Sequence, residues 1–453
     1  MGKRGSRQQR MWISTADLPT GPGHPFYRRL NEVLEAANFD GFVERSCERF
    51  YADVMGRPSL APGRYFRLLL LGYFEGLDSE RGIAWRAADS LGVRSFLGLG
   101  IGEAAPDHST ISRTRRRIDL ETHEGVFGFV QESLACAGLL RGKTIGIDAT
   151  TLEANAAMRS IRRRDTGETY EEFLRGLAAA SGIKTPTREA LARLDRRRRK
   201  KASNQDWTSP SDPDARITKM KDGRTHLAHK AEHAIDVDTG AIVAVTLQGA
   251  DKGDTSTLRE TLSQAERQIE QLLETPDVAS DLHAAGIVEV VADKGYHSDA
   301  VLTDLAEQGL RSYISEPERG RRRWRDDRTQ TAVYENRRRM RGARGRRLAR
   351  RRGELVERPF AHLYDTGGMR RTHLRGHENI LKRLLVHAGG FNLALLMREF
   401  FGVGKPRRLQ GRLGFAVGLL LRILDAVRGW LSPRSRTSAS SARSIVKPEA
   451  ALP

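Results

Sequence analysis

The sequence predicts an α/β chain in which an all-helical amino-terminal region precedes a mixed sheet flanked by helices. Three observations carry that expectation: helical spacing of apolar residues from about Phe26 to Ala137, two short β-branched runs that each end in one aspartate, and a hairpin signal between them. The first run is Thr144-Ile145-Gly146-Ile147-Asp148-Ala149-Thr150. The second is Val288-Glu289-Val290-Val291-Ala292-Asp293-Lys294-Gly295-Tyr296. Apolar runs of this length, bounded by turn residues, read as buried strands, so Asp148 and Asp293 are expected at strand ends, where they reach a cleft and can share a metal ion.

In the helical region, Phe66, Leu69, Leu70, Tyr73 and Phe74 follow Pro62, a residue that favours the first helical turn. Ser79 to Leu91, a break at Gly92 and a helix opening at Asp107 to Ser109 are expected to form a helix-turn-helix-like unit. Its last helix carries Arg113, Arg115, Arg116 and Arg117, a basic face suited to phosphates, with a solvated surface as the alternative. One strand then ends at Asp148, and a polar, charged insertion from about 159 to 222 contains the basic run Arg196 to Lys201. Two strand-like runs, Ala228 to Val237 and Ala241 to Gln248, flank the turn sequence Asp238-Thr239-Gly240. A helix fits Thr255 to Leu273, the second aspartate strand follows, and a short helix fits Asp299 to Gln308. The expected division is a helical DNA-binding domain over 1–140, a catalytic domain over 141–400 with its insertion, and an amphipathic helix with a disordered basic tail over 401–453.

Lys plus Arg total 77 against 57 Asp plus Glu, a net charge of +20, which calls for a polyanionic partner, nucleic acid first. From Arg311 to Arg352, 17 arginines meet five acidic residues, a density better explained by phosphate binding than by solubility. Arg321, Arg322, Arg323, Arg337, Arg338 and Arg339 are the expected DNA contacts there, and Trp324 is expected to pack on the domain rather than stack on a base. Cys47 and Cys136 form neither a metal-ligand pair nor a disulfide framework, which fits a reducing compartment. No apolar core marks a signal peptide at the start of the chain. Leu413 to Leu431 is interrupted by Arg422, Asp425 and Arg428, costly in hydrocarbon, and reads as a helix packed on protein. A cytoplasmic, nucleoid-associated protein with no membrane partner is expected.

Paired aspartates in so basic a chain point to metal-assisted phosphoryl chemistry, where the protein supplies charge neutralisation and in-line positioning. Hard ions such as Mg2+ or Mn2+ take carboxylate oxygens, and a third carboxylate is expected from the helix-compatible stretch Arg346 to Leu363, which offers Glu354 and Glu357. Lys294 and Tyr296 follow the second aspartate closely enough to touch the scissile phosphate or flanking DNA. His226, His229 and His233 are expected as polar residues on one sheet face, and Asp251 and Asp254 as loop and helix-cap residues. Gly138 to Thr144 resembles a phosphate-binding loop, but it is one residue short between glycines and precedes a strand, so no nucleotide cofactor is expected.

Gly146-Ile147-Asp148-Ala149-Thr150, Ala292-Asp293-Lys294-Gly295-Tyr296-His297 and Leu355-Val356-Glu357-Arg358-Pro359-Phe360 resemble the motifs of insertion-sequence transposases with a DDE triad on an RNase H-like fold. The resemblance spans roughly Arg57 to Arg398. It implies that Asp148, Asp293 and Glu357 hold two Mg2+ or Mn2+ ions, Glu357 being preferred to Glu354 because it occupies the Val-Glu-x-x-Phe pattern. It also implies amino-terminal helices that bind double-stranded transposon ends, cleavage by water, strand transfer by a 3′-hydroxyl without ATP, and a homo-oligomer in the DNA complex. The accessory tyrosine, arginine and lysine that some relatives carry around the glutamate are replaced by Arg350, Gly353 and Tyr364, so those contacts do not transfer. An RNase H-like nuclease without joining activity, and a catalytically inactive DNA-binding regulator, are the alternative readings.

Overall fold

The computed structural model describes residues 23–52, 59–198, 202–220, 222–275, 278, 280–318, 320, 323–324 and 326–406. Its amino-terminal part is helical: α1 (Pro25–Ala36), α2 (Phe39–Cys47), α3 (Pro62–Glu75), α4 (Glu80–Asp89), α5 (Leu91–Phe96), α6 (His108–Arg117) and α7 (Leu120–Cys136). Pro62 opens α3, and almost every later residue of that helix is buried, which makes it the centre of this region. Four helices begin where the sequence places a short polar acceptor. Ser79, Ser90, Asp107 and Asp119 each accept from a first-turn N–H, satisfying one of the donors that a helix start leaves open. The expected break at Gly92 is displaced to Ser90, which is extended and caps α5, so Gly92 lies inside that short helix.

The sheet is built on β1 (Thr144–Glu153), which pairs antiparallel with β5 (Thr225–Asp236) and parallel with β7 (Glu289–Ala292). Parallel β8 (Arg311–Ile314) closes the β7 edge, while β4 (Arg216–Lys219) and β6 (Ile242–Gly249) share the other edge of β5. Between β1 and β4 the insertion forms β2 (Arg162–Arg163), α8 (Tyr170–Ala180), α9 (Arg188–Arg197) and β3 (Trp207–Thr208). Its small core gathers Ile161, Trp207 and Ala215, with Tyr170 and Phe173 packed against them. The remaining helices are α10 (Asp254–Leu273), α11 (Asp299–Glu307), α12 (Asp327–Arg341), α13 (Ala343–Phe360) and α14 (His377–Phe401).

Side chains alternate across the sheet, so Ile145 and Ile147 enter the large core while Gly146 and Asp148 face α13. α14 packs against α3 and α7 on one side and β6 on the other, and Asn392 bonds both the N–H and the carbonyl of Ile242. Gly390 permits the α3 crossing, because a β-carbon there would lie 2.5 Å from the Tyr73 ring. One hydrophobic core therefore runs from Leu30 and Phe66 through Ile147 to Val290. α14 is long and apolar enough to cross a membrane, and nearly all of it is buried in this core. The stretch from Leu413 to Leu431, the basic tail, Arg199 to Lys201 and the pair Arg321 and Arg322 lie outside the described residues.

Candidate active site

Strand register brings the two aspartates together. Gly146 is aligned with Val291 in the parallel β1–β7 pair, so two residues further along each chain Asp148 comes beside Asp293. Asp148 is not at a strand end, as the sequence suggested, because β5 keeps pairing β1 as far as Glu153. It sits instead where the β7 pairing stops, and that opens one flank of β1 to a cleft. Arg352 of α13 reaches into this cleft and donates to Asp148 Oδ2 at 3.0 Å, while Oδ1 accepts from Ala149 N–H at 2.8 Å. Burial lifts the Asp148 carboxyl above the usual carboxylate range, the guanidinium opposes that rise, and the charge of Asp293 adds to it. Gly146 leaves room for the arginine, since a β-carbon there would meet Arg352 Cγ at 3.4 Å.

Asp293 is half-buried and caps a 3-10 turn, Lys294–Tyr296, by accepting from Gly295 N–H at 2.8 Å. Lys294 is exposed. Tyr296 is not placed to touch DNA: its ring is fully buried and its hydroxyl donates to Glu232 Oε1 at 2.6 Å. Glu232 is itself buried and also accepts from Thr257 Oγ1 at 2.9 Å, so the tyrosine anchors the aspartate turn to the opposite side of the sheet. Asp254 approaches the same turn. A β-carbon on Gly295 would lie 2.5 Å from Asp254 Oδ2 and 3.0 Å from Asp293 Oδ1, so those two oxygens are no more than 5.5 Å apart. The cap expected of Asp254 is absent: α10 starts from Gly253 without a side-chain cap, and Asp254 Oδ1 instead accepts from Lys230 Nζ at 2.6 Å. Asp251 pairs with Arg216 at 3.9 Å.

On α13, Arg352 and Val356 face Gly146. Each helical residue turns about 100°, which puts Glu357 about 100° from Val356 and about 140° from Arg352, and Glu354 about 160° from both, so both glutamates turn away from that face. Leu355 approaches Gly240 of the β5–β6 turn. Glu357 and Glu354 are both exposed, and Glu354 is paired with Arg358. Among the described residues no three acidic or histidine side chains converge closely enough to hold an ion as they stand. Strand register thus sets Asp148 beside Asp293, while Glu357 lies exposed on α13.

Arg113, Arg116 and Arg117 are exposed on α6, with Arg117 stacked on Tyr51 at 5.6 Å. Arg115 is a correction to the expected DNA face: it is buried, ion-paired with Glu80, and donates to Asn379 at 3.2 Å. Two more of the expected contacts have carboxylate partners. Arg337 binds Glu316 at 2.6 Å and lies over Trp324, while Arg339 pairs with Glu335 at 3.0 Å and bonds the Ser312 carbonyl. These two arginines fasten α12 to β8 and the strand exit, whereas Arg323 and Arg338 are exposed. Trp324 packs beside Tyr334, ring centroids 5.6 Å apart, as expected.

His229 and His233 share the α13 face, bonded to Asp212 and Tyr364, but His226 alternates to the other face and meets Asp222. Reading the sequence missed Arg352 and Arg370. Arg370 donates to Thr150 Oγ1 at 3.1 Å on the same face as Asp148, and Arg352 precedes the helix residue Val356 by one turn, a spacing that was legible.

A family described as a transposase domain (DUF772) matches residues 15–117, and one described as a transposase DDE domain matches residues 182–393. Asp293 and Glu357 fall inside the second match, and Asp148 precedes it. Among curated proteins none matches the chain.

Proposed function

The chain belongs to the insertion-sequence DDE transposases, with the RNase H-like arrangement of a mixed sheet between helices, and from that premise we propose that it cuts transposon ends and joins them to target DNA in a metal-dependent reaction. The observation that carries this reading is the register that sets Asp148 beside Asp293 on the face covered by α13. The donors fit hard divalent ions, since they are carboxylate oxygens, and a guanidinium already supplies positive charge against Asp148. Asp148, Asp293 and Glu357 would hold Mg2+ or Mn2+, in all two ions. Bound there, such ions lower the pKa of an attacking water and stabilise the leaving oxygen.

The chain's own groups do the rest. Arg352 and Arg370, which bond Asp148 and Thr150 on one face of the sheet, would hold the scissile phosphate, and the exposed Lys294 would contact the flanking strand. Arg113, Arg116 and Arg117 on α6, with Arg323 and Arg338, offer further phosphate contacts along the duplex. In cleavage, water adds to phosphorus and the bond to the 3′ oxygen breaks, leaving a 3′-hydroxyl. In joining, that hydroxyl attacks a target phosphodiester, whose own 3′ oxygen departs, so neither ATP nor a covalent protein intermediate is needed. Joining two ends at one target requires more than one active site, and the working complex is accordingly a homo-oligomer on paired ends, acting in the cytoplasm at the nucleoid.

The test is cleavage of oligonucleotides that carry the DNA bordering the reading frame. Replacing Asp148, Asp293 or Glu357 with alanine is expected to remove Mg2+-dependent cleavage and keep DNA binding. Normal cutting and joining by Asp293→Ala would overturn the assignment. Pre-cleaved ends mixed with target DNA give joined products only if the protein is a transposase rather than a nuclease of the same fold.

A further inference from the structure

We propose that Asp254 is an additional acidic ligand of the metal pocket, acting beside Asp293; this rests on the metal-dependent reading above. Asp254 is the first residue of α10 and arrives at the site from the loop that follows β6. Its carboxylate takes no part in capping its own helix. Oδ1 is fixed by Lys230, a buried cation of β5 that also donates to Thr257 Oγ1 at 2.9 Å and, at 3.4 Å, to the Lys252 carbonyl. That anchorage aims Oδ2 at Gly295, inside the turn that Asp293 caps.

Gly295 makes the approach possible. A β-carbon at that position would fill the gap between the two carboxylates, at 2.5 Å from one oxygen and 3.0 Å from the other. Two oxygens ligating one Mg2+ at about 2.0–2.1 Å stand no more than about 4.2 Å apart, so a side-chain rotation closes the separation of at most 5.5 Å seen here. The Asp254 side chain is 39% exposed, open enough to accept an ion from solvent. Its place at the start of α10 favours a carboxylate there, and Lys230 offsets part of its charge. Asp293 and Asp254 thus approach one turn from two separate elements, β7 and α10, and strand register sets Asp148 beside Asp293.

The experiment measures Mn2+ binding to the full chain without DNA, by titration calorimetry at neutral pH. Asp254→Asn retains an acceptor for Lys230 and is expected to weaken Mn2+ about tenfold, Asp293→Asn at least as much, and Asp251→Asn not at all. Unaltered binding in Asp254→Asn with binding lost in Asp293→Asn overturns the inference alone. Unaltered binding in both overturns the metal-site reading beneath it. Should Asp254→Asn fail to fold, Asp254→Cys is titrated with Cd2+, because a soft thiolate ligand announces itself by a thiolate-to-metal absorption band. A band absent from the unmutated chain supports direct ligation, and no band overturns it.

Discussion

Arg352 holds Asp148 by a charge-assisted bond, so an ion binding that carboxylate must share it with a guanidinium or displace it. Tyr296 shows how neighbours in sequence can serve opposite ends: Lys294 is exposed, and two residues later the ring is buried against Glu232. Sequence distance from Asp293 could not tell these apart, because the turn between them reverses direction. A second buried residue contributes to the acid sensitivity of the fold. His123 bonds Tyr65 Oη at 3.1 Å and the Asp119 carbonyl at 2.7 Å, and burial pushes its pKa down from 6.5 to about 4. The unfolded chain takes the proton first, so this contribution is complete above pH 6.5 and is lost as pH falls towards 4, at about 1.4 kcal/mol per pH unit. His233, pushed by burial to about 3, acts in the same sense. Thermal unfolding at pH 7 and pH 4.5 is expected to show a large drop in midpoint, smaller for His123→Gln.

The helical hairpin of α12 and α13 sets the position of the cleft's arginine and of both candidate glutamates. Its two helices meet so closely that a β-carbon on Gly345 would overlap the Arg339 carbonyl and lie 2.8 Å from Met340 Cα. Gly345→Ala is therefore expected to destabilise the chain by about 1–3 kcal/mol in urea denaturation and to reduce DNA cleavage by shifting α13. Further along α13, Pro359 has no N–H to give, and the helix continues as a π-helical turn over Ala361–Thr366 that brings Tyr364 to His233. Elements with local signals were legible: the β5–β6 hairpin from Asp238-Thr239-Gly240, and the starts of α3 and α6 from Pro62 and Asp107. α12 was not, since it buries only Ala332, Val333 and Asn336 and shows no apolar stripe. Nor was β8, four residues long and opened by an arginine.

Across the whole molecule, the positive charge divides into two populations that composition cannot separate. Arg337, Arg339, Arg344 and Arg352 are engaged by Glu316, Glu335, Glu289 and Asp148, while Arg338, Arg346 and Arg347 are exposed on α12 and α13. Replacing the three exposed arginines with glutamine is expected to weaken DNA binding at every sequence and to reduce the salt slope by about 0.9 for each phosphate that is no longer neutralised. Arg337→Gln with Arg339→Gln is expected to lower stability and leave that slope nearly unchanged. DNA affinity measured against salt concentration decides between the two populations, and an unchanged slope in the triple variant would return the exposed set to plain surface charge.

By itself the sequence determined the classes of element: an amino-terminal helical region, two aspartates on β-branched runs, a basic chain, and a later helix that carries Glu354 and Glu357. These are short-range properties, carried by spacing, caps and turn residues within a few positions of each other. The tertiary structure decided what depends on contacts between distant segments. It placed Asp148 at the end of a strand pairing rather than of a strand, turned Tyr296 and Arg115 inward, and shared α14 between the helical region and the sheet. It also brought Asp254 to Gly295 across 41 residues of chain, an approach set by sheet register and a buried lysine that no local pattern encodes.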